Sequence, residues 1–223
     1  MKIFSAILFT FLIIGLICQA KKQPNVIYIL ADDLGYGEGG YNGQRMIKTP
    51  ELDALATGGM RFTDHYCGNA VCAPSRASLV TGKHPGHAYI RANSPGYPVG
   101  QTPIPANTET IGKLMKRAGY TTACIGKWGL GMYDNTGNPN EQGFDYFYGF
   151  MAGETSQYEP MLFENTNPIN PPHDPTYHLT EDMADKAIQW MRTSKTLDPD
   201  SPFFLYFTPG AVHGPFHIFK EWA

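Results

Sequence analysis

The chain has 223 residues and 17 Lys and Arg against 20 Asp and Glu, for a formal net charge of −3 at neutral pH. It carries no basic run and no aromatic-basic stripe that would follow a phosphate backbone, so nucleic acid is not expected as a partner. The length allows one sizeable core and is too short for two comfortable domains.

Lys2 precedes an apolar run from Ile3 to Ile17, and Cys18-Gln19-Ala20 follows before Lys21-Lys22. This layout predicts a secretory signal peptide over residues 1–20, cleaved after Ala20, and a secreted or periplasmic mature chain. The run falls short of the about 20 apolar residues a bilayer span needs, so no stable membrane span is expected. A lipid anchor on Cys18 is disfavoured by the bulky Ile17 before it. Cys67, Cys72 and Cys124 remain beyond residue 20. An odd number in an exported protein leaves at least one thiol unpaired or chemically used. A Cys67–Cys124 disulfide is compatible with that count, and the spacing does not establish it.

Asn25 to Leu30 is a short apolar run read as a strand buried on both faces, and Ala31-Asp32-Asp33-Leu34-Gly35 forms the loop at its end. Thr49-Pro50-Glu51, closed by Gly58-Gly59, predicts a short helix with a proline in its first turn. Val71 to Lys83, VCAPSRASLVTGK, places Cys72 at a helix start, with Pro74 in the first turn and Arg76 one turn in. Ile111, Leu114, Met115 and Ala118 share a helical face, and Gly119 ends that segment before a strand over Tyr120 to Ile125 that opens into Gly126-Lys127-Trp128-Gly129. From about Asp134 to His178 the abundance of Pro, Asn, Gly and aromatics reads as long loops covering one end of a sheet. Ala184, Ala187, Ile188 and Met191 predict a helix over Thr180 to about Lys195, and Phe203 to Phe207 a further buried strand running into Thr208 to His213.

Helices alternating with short apolar strands predict an α/β fold with a largely parallel central sheet flanked by helices. Ligand sites in such sheets lie beyond the C-terminal ends of the strands. Three strand ends then present Asp32 and Asp33, Lys127, and His213, and the helix start adds Cys72 and Arg76. A helix N-terminus attracts anions through its free N–H groups and its dipole, which makes Cys72 a good place to hold a tetrahedral oxyanion. His84, His87 and Arg91 lie in the loop that leaves the same helix; they either line the mouth of the site or have a solvated or structural role, and they are not counted among its residues.

Cys72-Ala73-Pro74-Ser75-Arg76, continuing through Ala77-Ser78-Leu79-Val80-Thr81-Gly82-Lys83, resembles the sulfatase signature. The resemblance extends to Asn25–Glu38, Gly126-Lys127-Trp128, Gly143–Gly149 and the strand ending near His213-Gly214-Pro215, five matches in the family's order. It implies an alkaline-phosphatase-like sulfatase domain over residues 21–223, incomplete at its C-terminus. It further implies that Cys72 is converted by a formylglycine-generating enzyme to Cα-formylglycine, whose hydrated aldehyde attacks the sulfur of a sulfate ester. Asp32 and Asp33 would bind Ca²⁺ together with the modified residue 72. Arg76 would orient the diol, Lys127 and His213 would contact the sulfate or protonate the leaving group, and Ser156, or its neighbour Gln157, would be a further sulfate contact. The implied substrate is an aryl sulfate or a sulfated small molecule or glycan.

Gly129 stands where many sulfatases have a histidine, which leaves the base for the elimination step unassigned. Two further readings stay open: a phosphatase or phosphodiesterase of the same superfamily, and a non-catalytic sulfated-glycan-binding relative.

Overall fold

The computed structural model describes residues 22–94 and 101–222, and the predicted signal peptide lies outside the described residues. Among the described residues, six strands form one sheet. They are β1 (Val26–Ile29), β2 (Thr121–Lys127), β3 (Tyr146–Phe150), β4 (Leu162–Glu164), β5 (Asn167–Ile169) and β6 (Phe203–Thr208), in the spatial order β1-β6-β2-β3-β4-β5. The first four in that order are parallel, and β4 and β5 continue the sheet antiparallel. The principal helices are α1 (Pro50–Gly58), α2 (Cys72–Thr81), α3 (Ile111–Arg117) and α4 (Leu179–Leu197). The expected α/β architecture with a largely parallel sheet is therefore present. No helix among the described residues is long and apolar enough to cross a membrane.

Period-two alternation sends neighbouring residues of a strand to opposite faces, and the core divides accordingly. Cys124 of β2 and Phe204 and Tyr206 of β6 pack with Ala73, Ala77 and Val80 of α2, and with Trp128 and Phe144. Ala123, Ile125, Phe203 and Leu205 face the other way, against Leu179, Met183 and Ala187 of α4. With both faces covered, the runs Ala123–Ile125 of β2 and Phe203–Phe207 of β6 are apolar on successive residues, as a doubly covered parallel sheet requires.

The structure corrects three readings. β1 is not buried on both faces: it is the sheet edge, and Ile27 and Ile29 are 49% and 56% exposed. An apolar run reads the same at an edge as at the centre. The segment from Asp134 to His178 holds β3, β4 and β5 in addition to loops. Those strands escape pattern reading because they are only three to five residues long and include Gly149 and Pro168. The possible Cys67–Cys124 disulfide does not form. Cys124 is fully buried within β2, and burial pushes its thiol far up. Cys67 is exposed and donates its S–H to the Asn69 carbonyl at 3.1 Å.

Candidate active site

The parallel strands β1, β2 and β6 end on one side of the sheet, which brings together loops far apart in sequence. The Asp32 N–H donates to the Ala211 carbonyl and the Val212 N–H to the Asp32 carbonyl, both at 2.8 Å. These two bonds hold the loop after β1 against the loop after β6, and Asp33 beside His213. Asp33 adopts a left-handed conformation, φ 59°, which aspartate accepts more readily than most residues.

β2 ends on Lys127, whose side chain is wholly buried. Its Nζ donates to Asp32 Oδ2 at 2.5 Å and to Cys72 Sγ at 3.1 Å. Gly126, the residue before it, has φ +122°, and a Cβ there would stand 2.0 Å from the Thr208 carbonyl oxygen. Only glycine permits β2 and β6 to approach so closely at the point where Lys127 is presented. The Lys127 carbonyl accepts from Arg76 NH1 at 2.6 Å and from Thr208 Oγ1 at 2.7 Å.

Arg76 is 2% exposed, and its NH2 donates to Asp32 Oδ1 at 3.3 Å. Its Nε is buried without a partner among the described residues. Asp32, itself 6% exposed, therefore divides its two oxygens between Arg76 and Lys127. Two buried cations share one buried carboxylate, so the cluster that touches Cys72 through Lys127 carries an excess positive charge. A buried charge is stable only when paired, and an anion at Cys72 supplies the missing counter-charge.

Cys72 is the first residue of α2, half-buried, with Val71 as the cap. The helix start contributes less to anion binding than the sequence implies. Pro74 has no N–H, the Ala73 N–H donates to Asn93 Oδ1 at 3.0 Å, and the Ser75 N–H is bonded to the Val71 carbonyl. The positive donor against Cys72 is thus chiefly the Lys127 side chain, to which Arg76 is joined through Asp32 and the Lys127 carbonyl. Asn93 and Thr208 are the structural supports that pattern reading passed over. Thr208 left a weak signal as a polar residue ending an apolar strand, and Asn93 left none.

His213 is half-buried, and its Nδ1 lies 2.6 Å from the Gly214 carbonyl oxygen. A carbonyl only accepts, so Nδ1 carries the hydrogen and Nε2 is the nitrogen left for a ligand. Asp33 Oδ2 is 3.7 Å from that Nε2. One ligand atom each of Asp32, Cys72 and His213 lie within 4.8 Å of one another. The structure thus gathers Asp32, Asp33, Cys72, Arg76, Lys127 and His213 at one end of the sheet. Ser156 is not tied into this network: its hydroxyl accepts the N–H groups of Tyr158 and Glu159, within its own turn. Buried Gln157 bonds Thr180 and the His217 ring. Gly129 has φ +73°, and a Cβ there would meet only the Arg76 Cδ, at 3.6 Å. A larger side chain would therefore be opposed by the backbone conformation more than by lack of space.

The donor set fits a hard cation on one condition. Two carboxylates and an oxygen at position 72 are the oxygen ligands calcium takes, whereas a thiol sulfur at 72 is a poor calcium ligand.

The sulfatase family model matches residues 24–223. Mouse (Mus musculus) arylsulfatase J is 35% identical over 210 residues, covering 87% of this chain and 33% of that protein. The crystal structure of Ps i-CgsB in complex with k-i-k-neocarrahexaose superposes with a TM-score of 0.77 at 31% identity, covering 89% of this chain and 47% of that one. BT4656, in complex with its substrate D-glucosamine-2-N,6-O-disulfate, gives a TM-score of 0.71 at 30% identity over 86% of this chain and 35% of its own. The chain thus spans between a third and a half of the length of these relatives. With a family model matched from just before β1 to the last residue, and the signature cysteine at the end of a parallel sheet, the chain belongs to the sulfatase family.

Proposed function

We propose that this chain is the part of a sulfuric ester hydrolase that carries the nucleophile, with residues 21–223 forming the N-terminal part of the catalytic domain and residues 1–20 directing export. The observation that carries the reading is the excess buried positive charge of Arg76 and Lys127 over Asp32, set against the Cys72 side chain. Sulfate-ester cleavage places negative charge on the sulfuryl and leaving oxygens, and prepositioned buried donors stabilise such charge more than water does.

Cys72 is the precursor in this reading, converted by a formylglycine-generating enzyme. Converted to Cα-formylglycine, position 72 would supply an aldehyde hydrate, one hydroxyl of which attacks sulfur while the other permits sulfate to be expelled. Asp32, Asp33 and the oxygen at position 72 would hold Ca²⁺, which would supply Lewis-acid charge at the sulfuryl oxygens. Lys127 faces the position-72 side chain and binds a sulfuryl oxygen. Arg76 braces Asp32 and the Lys127 carbonyl, and its unpartnered Nε is the donor available to orient the nucleophile. His213 presents Nε2 to the substrate, with Asp33 beside it to balance the ring when it carries the proton for the leaving oxygen. Ser156 is a candidate sulfate contact that its own turn would have to release.

The substrate class is a sulfated small molecule or glycan, supported by the disulfated sugar bound to BT4656. The test is turnover of nitrophenyl sulfate against nitrophenyl phosphate by protein co-expressed with a formylglycine-generating enzyme. Preferential sulfate hydrolysis is the expected result. Dominant phosphate hydrolysis would establish the phosphatase reading instead, and saturable binding of sulfated glycan with neither turnover would establish the binding reading.

A further inference from the structure

The segment after β6 carries His213 and is anchored at two places. At its start, the bonds of Asp32 with Ala211 and Val212 hold it to the loop after β1. Its outer end is held by residues outside the site. His178, 5% exposed, caps α4: its Nδ1 accepts the Thr180 N–H at 3.3 Å, and its Nε2 lies 2.9 Å from the His217 carbonyl oxygen. A backbone N–H only donates and a carbonyl only accepts, so His178 is a neutral ring with its hydrogen on Nε2. His217 is placed in the same sense, since its Nδ1 accepts the Gln157 N–H at 3.4 Å, and its ring lies parallel to Tyr158 with centroids 5.1 Å apart. The Tyr158 hydroxyl donates to the Ile218 carbonyl at 2.9 Å, and the Phe219 and Trp222 rings pack on His178 with centroids at 5.4 and 4.8 Å.

We propose that His178 is a positioning residue for the sulfate-ester reaction, a proton-sensitive clasp that holds the outer end of the His213 segment when neutral and releases it when protonated. The effect on turnover rests on the proposed function, and the clasp itself does not. A proton on Nδ1 turns an acceptor into a donor facing the Thr180 N–H, and it puts a cation at the N-terminus of α4, where the helix dipole disfavours one. Both ring nitrogens are engaged by backbone groups, so neither N–H points at the face of Tyr158, Phe219 or Trp222 and no cation–π contact replaces the lost bond. The titratable groups beside the ring are Tyr158 and His217. Of the charged side chains on the packed elements, Glu159, Lys220 and Glu221 are exposed, and Glu181 and Asp182 lie in the first turn of α4. Asp182 is already bonded by the Tyr148 and Tyr177 hydroxyls, and among the described residues none of these groups is ion-paired with His178. Glu181 and Asp182 favour proton uptake, and uptake breaks the bond to Thr180. The closed form therefore binds the proton more weakly than the open form, so it is favoured at high pH and lost as pH falls. Once open, His213 is held through Ala211 and Val212 alone, and its Nε2 is no longer fixed over the site.

The test follows the fluorescence of Trp222, whose indole packs on His178, in the full chain between about pH 7.5 and 5.5, within the range where histidines ordinarily change charge. The parent's emission is expected to change over this range, and that of Trp222→Phe to stay flat, because Trp128 and Trp190 pack instead against Phe144 and Phe203. His178→Gln offers the His217 carbonyl an amide N–H that does not titrate, and it is expected to keep the closed-form emission throughout. His178→Asn keeps an acceptor for the Thr180 N–H but loses the His217 bond, and it is expected to show the open-form emission throughout. In protein co-expressed with a formylglycine-generating enzyme, turnover of nitrophenyl sulfate by His178→Gln relative to the parent is expected to rise about tenfold as pH falls across the same range, since one proton shifts the closed–open balance by at most about tenfold per pH unit. Titration of His213 affects both proteins alike and cancels in that ratio. An unchanging parent emission would overturn the clasp, as would a pH-dependent emission in either His178 variant or a turnover ratio independent of pH. Either variant alone suffices where the other fails to fold. Absence of turnover by both proteins at every pH would overturn the proposed function instead, and the emission would still decide the clasp.

Discussion

Lys127 Nζ lies 3.1 Å from Cys72 Sγ across 55 residues of sequence, with the lysine itself wholly buried. The lysine belongs to the end of a central strand and the cysteine to the first turn of a helix, so the contact exists only when sheet and helix are docked. Lys127 shares Asp32 with Arg76, and this sharing sets the energetic behaviour of the site.

Asp32→Asn leaves two buried cations without a carboxylate and is expected to cost about 3–5 kcal/mol of stability. Lys127→Met leaves Arg76 and Asp32 as a balanced pair and is expected to change stability by less than about 1.5 kcal/mol, while lowering sulfate-ester turnover by about 10²- to 10³-fold. Urea unfolding of the two variants checks this asymmetry. Equal losses of stability would mean that Asp32 does not neutralise both cations.

Gly126→Ala is expected to destabilise the chain by about 3 kcal/mol or more, because its backbone is left-handed and the added methyl meets the Thr208 carbonyl oxygen. The register joins Gly126 to both Thr208 and Gly149, so the distortion spreads to β3 and β6 and displaces Lys127. Thermal unfolding measures the cost. A loss below about 0.5 kcal/mol, the range of an ordinary surface change, would contradict the close approach.

Asp145 anchors the start of β3 to β2 and α3. Burial works to raise its carboxyl, but the bond from Lys116 and those from the Thr122 N–H and hydroxyl outweigh it, and the group titrates below its ordinary value of 3.8. A depressed carboxyl contributes stability that is present above that ordinary value and is lost as pH falls through the lowered one. Asp145→Asn is therefore expected to cost about 1 kcal/mol at pH 7, a modest figure because solvent screens the half-exposed pair, and the gap from the parent should close as pH falls below 3.8. Urea midpoints at neutral and acid pH test this, and a gap independent of pH would contradict the charged role.

Tyr206 is buried in the core with a hydroxyl that has no hydrogen-bond partner among the described residues, and burial pushes its phenol up despite nearby Arg76. Removing an unpaired buried hydroxyl returns its desolvation cost, so Tyr206→Phe is expected to be neutral or stabilising by up to about 1 kcal/mol. A clear loss in thermal unfolding would show that the hydroxyl has a bonded partner.

Much of the site was legible because its residues fall at element boundaries. Asp32, Lys127 and His213 follow short apolar runs, and Cys72 and Arg76 sit around a proline that marks a helix start. The pairing among them was not legible, since the contact of Lys127 with Asp32 depends on which strands are neighbours. The sequence order of β1, β2 and β6 does not reveal that β6 lies between the other two. The N-terminal anion site was overestimated for a similar reason. Asn93, which takes the Ala73 N–H, is 20 residues away and carries no local signal. β1 looked central because apolarity alone does not distinguish an edge strand whose outer face holds Ile27 and Ile29.

The central claim is that Cys72 is raw material for a different nucleophile. Its most direct test is the mass of the tryptic peptide Phe62–Arg76 from protein co-expressed with a formylglycine-generating enzyme. Exchange of SH and H for a carbonyl oxygen predicts a peptide lighter by about 18 Da, with the change at position 72 and Cys67 intact. An unchanged mass, with sulfate-ester turnover still present, would contradict the account.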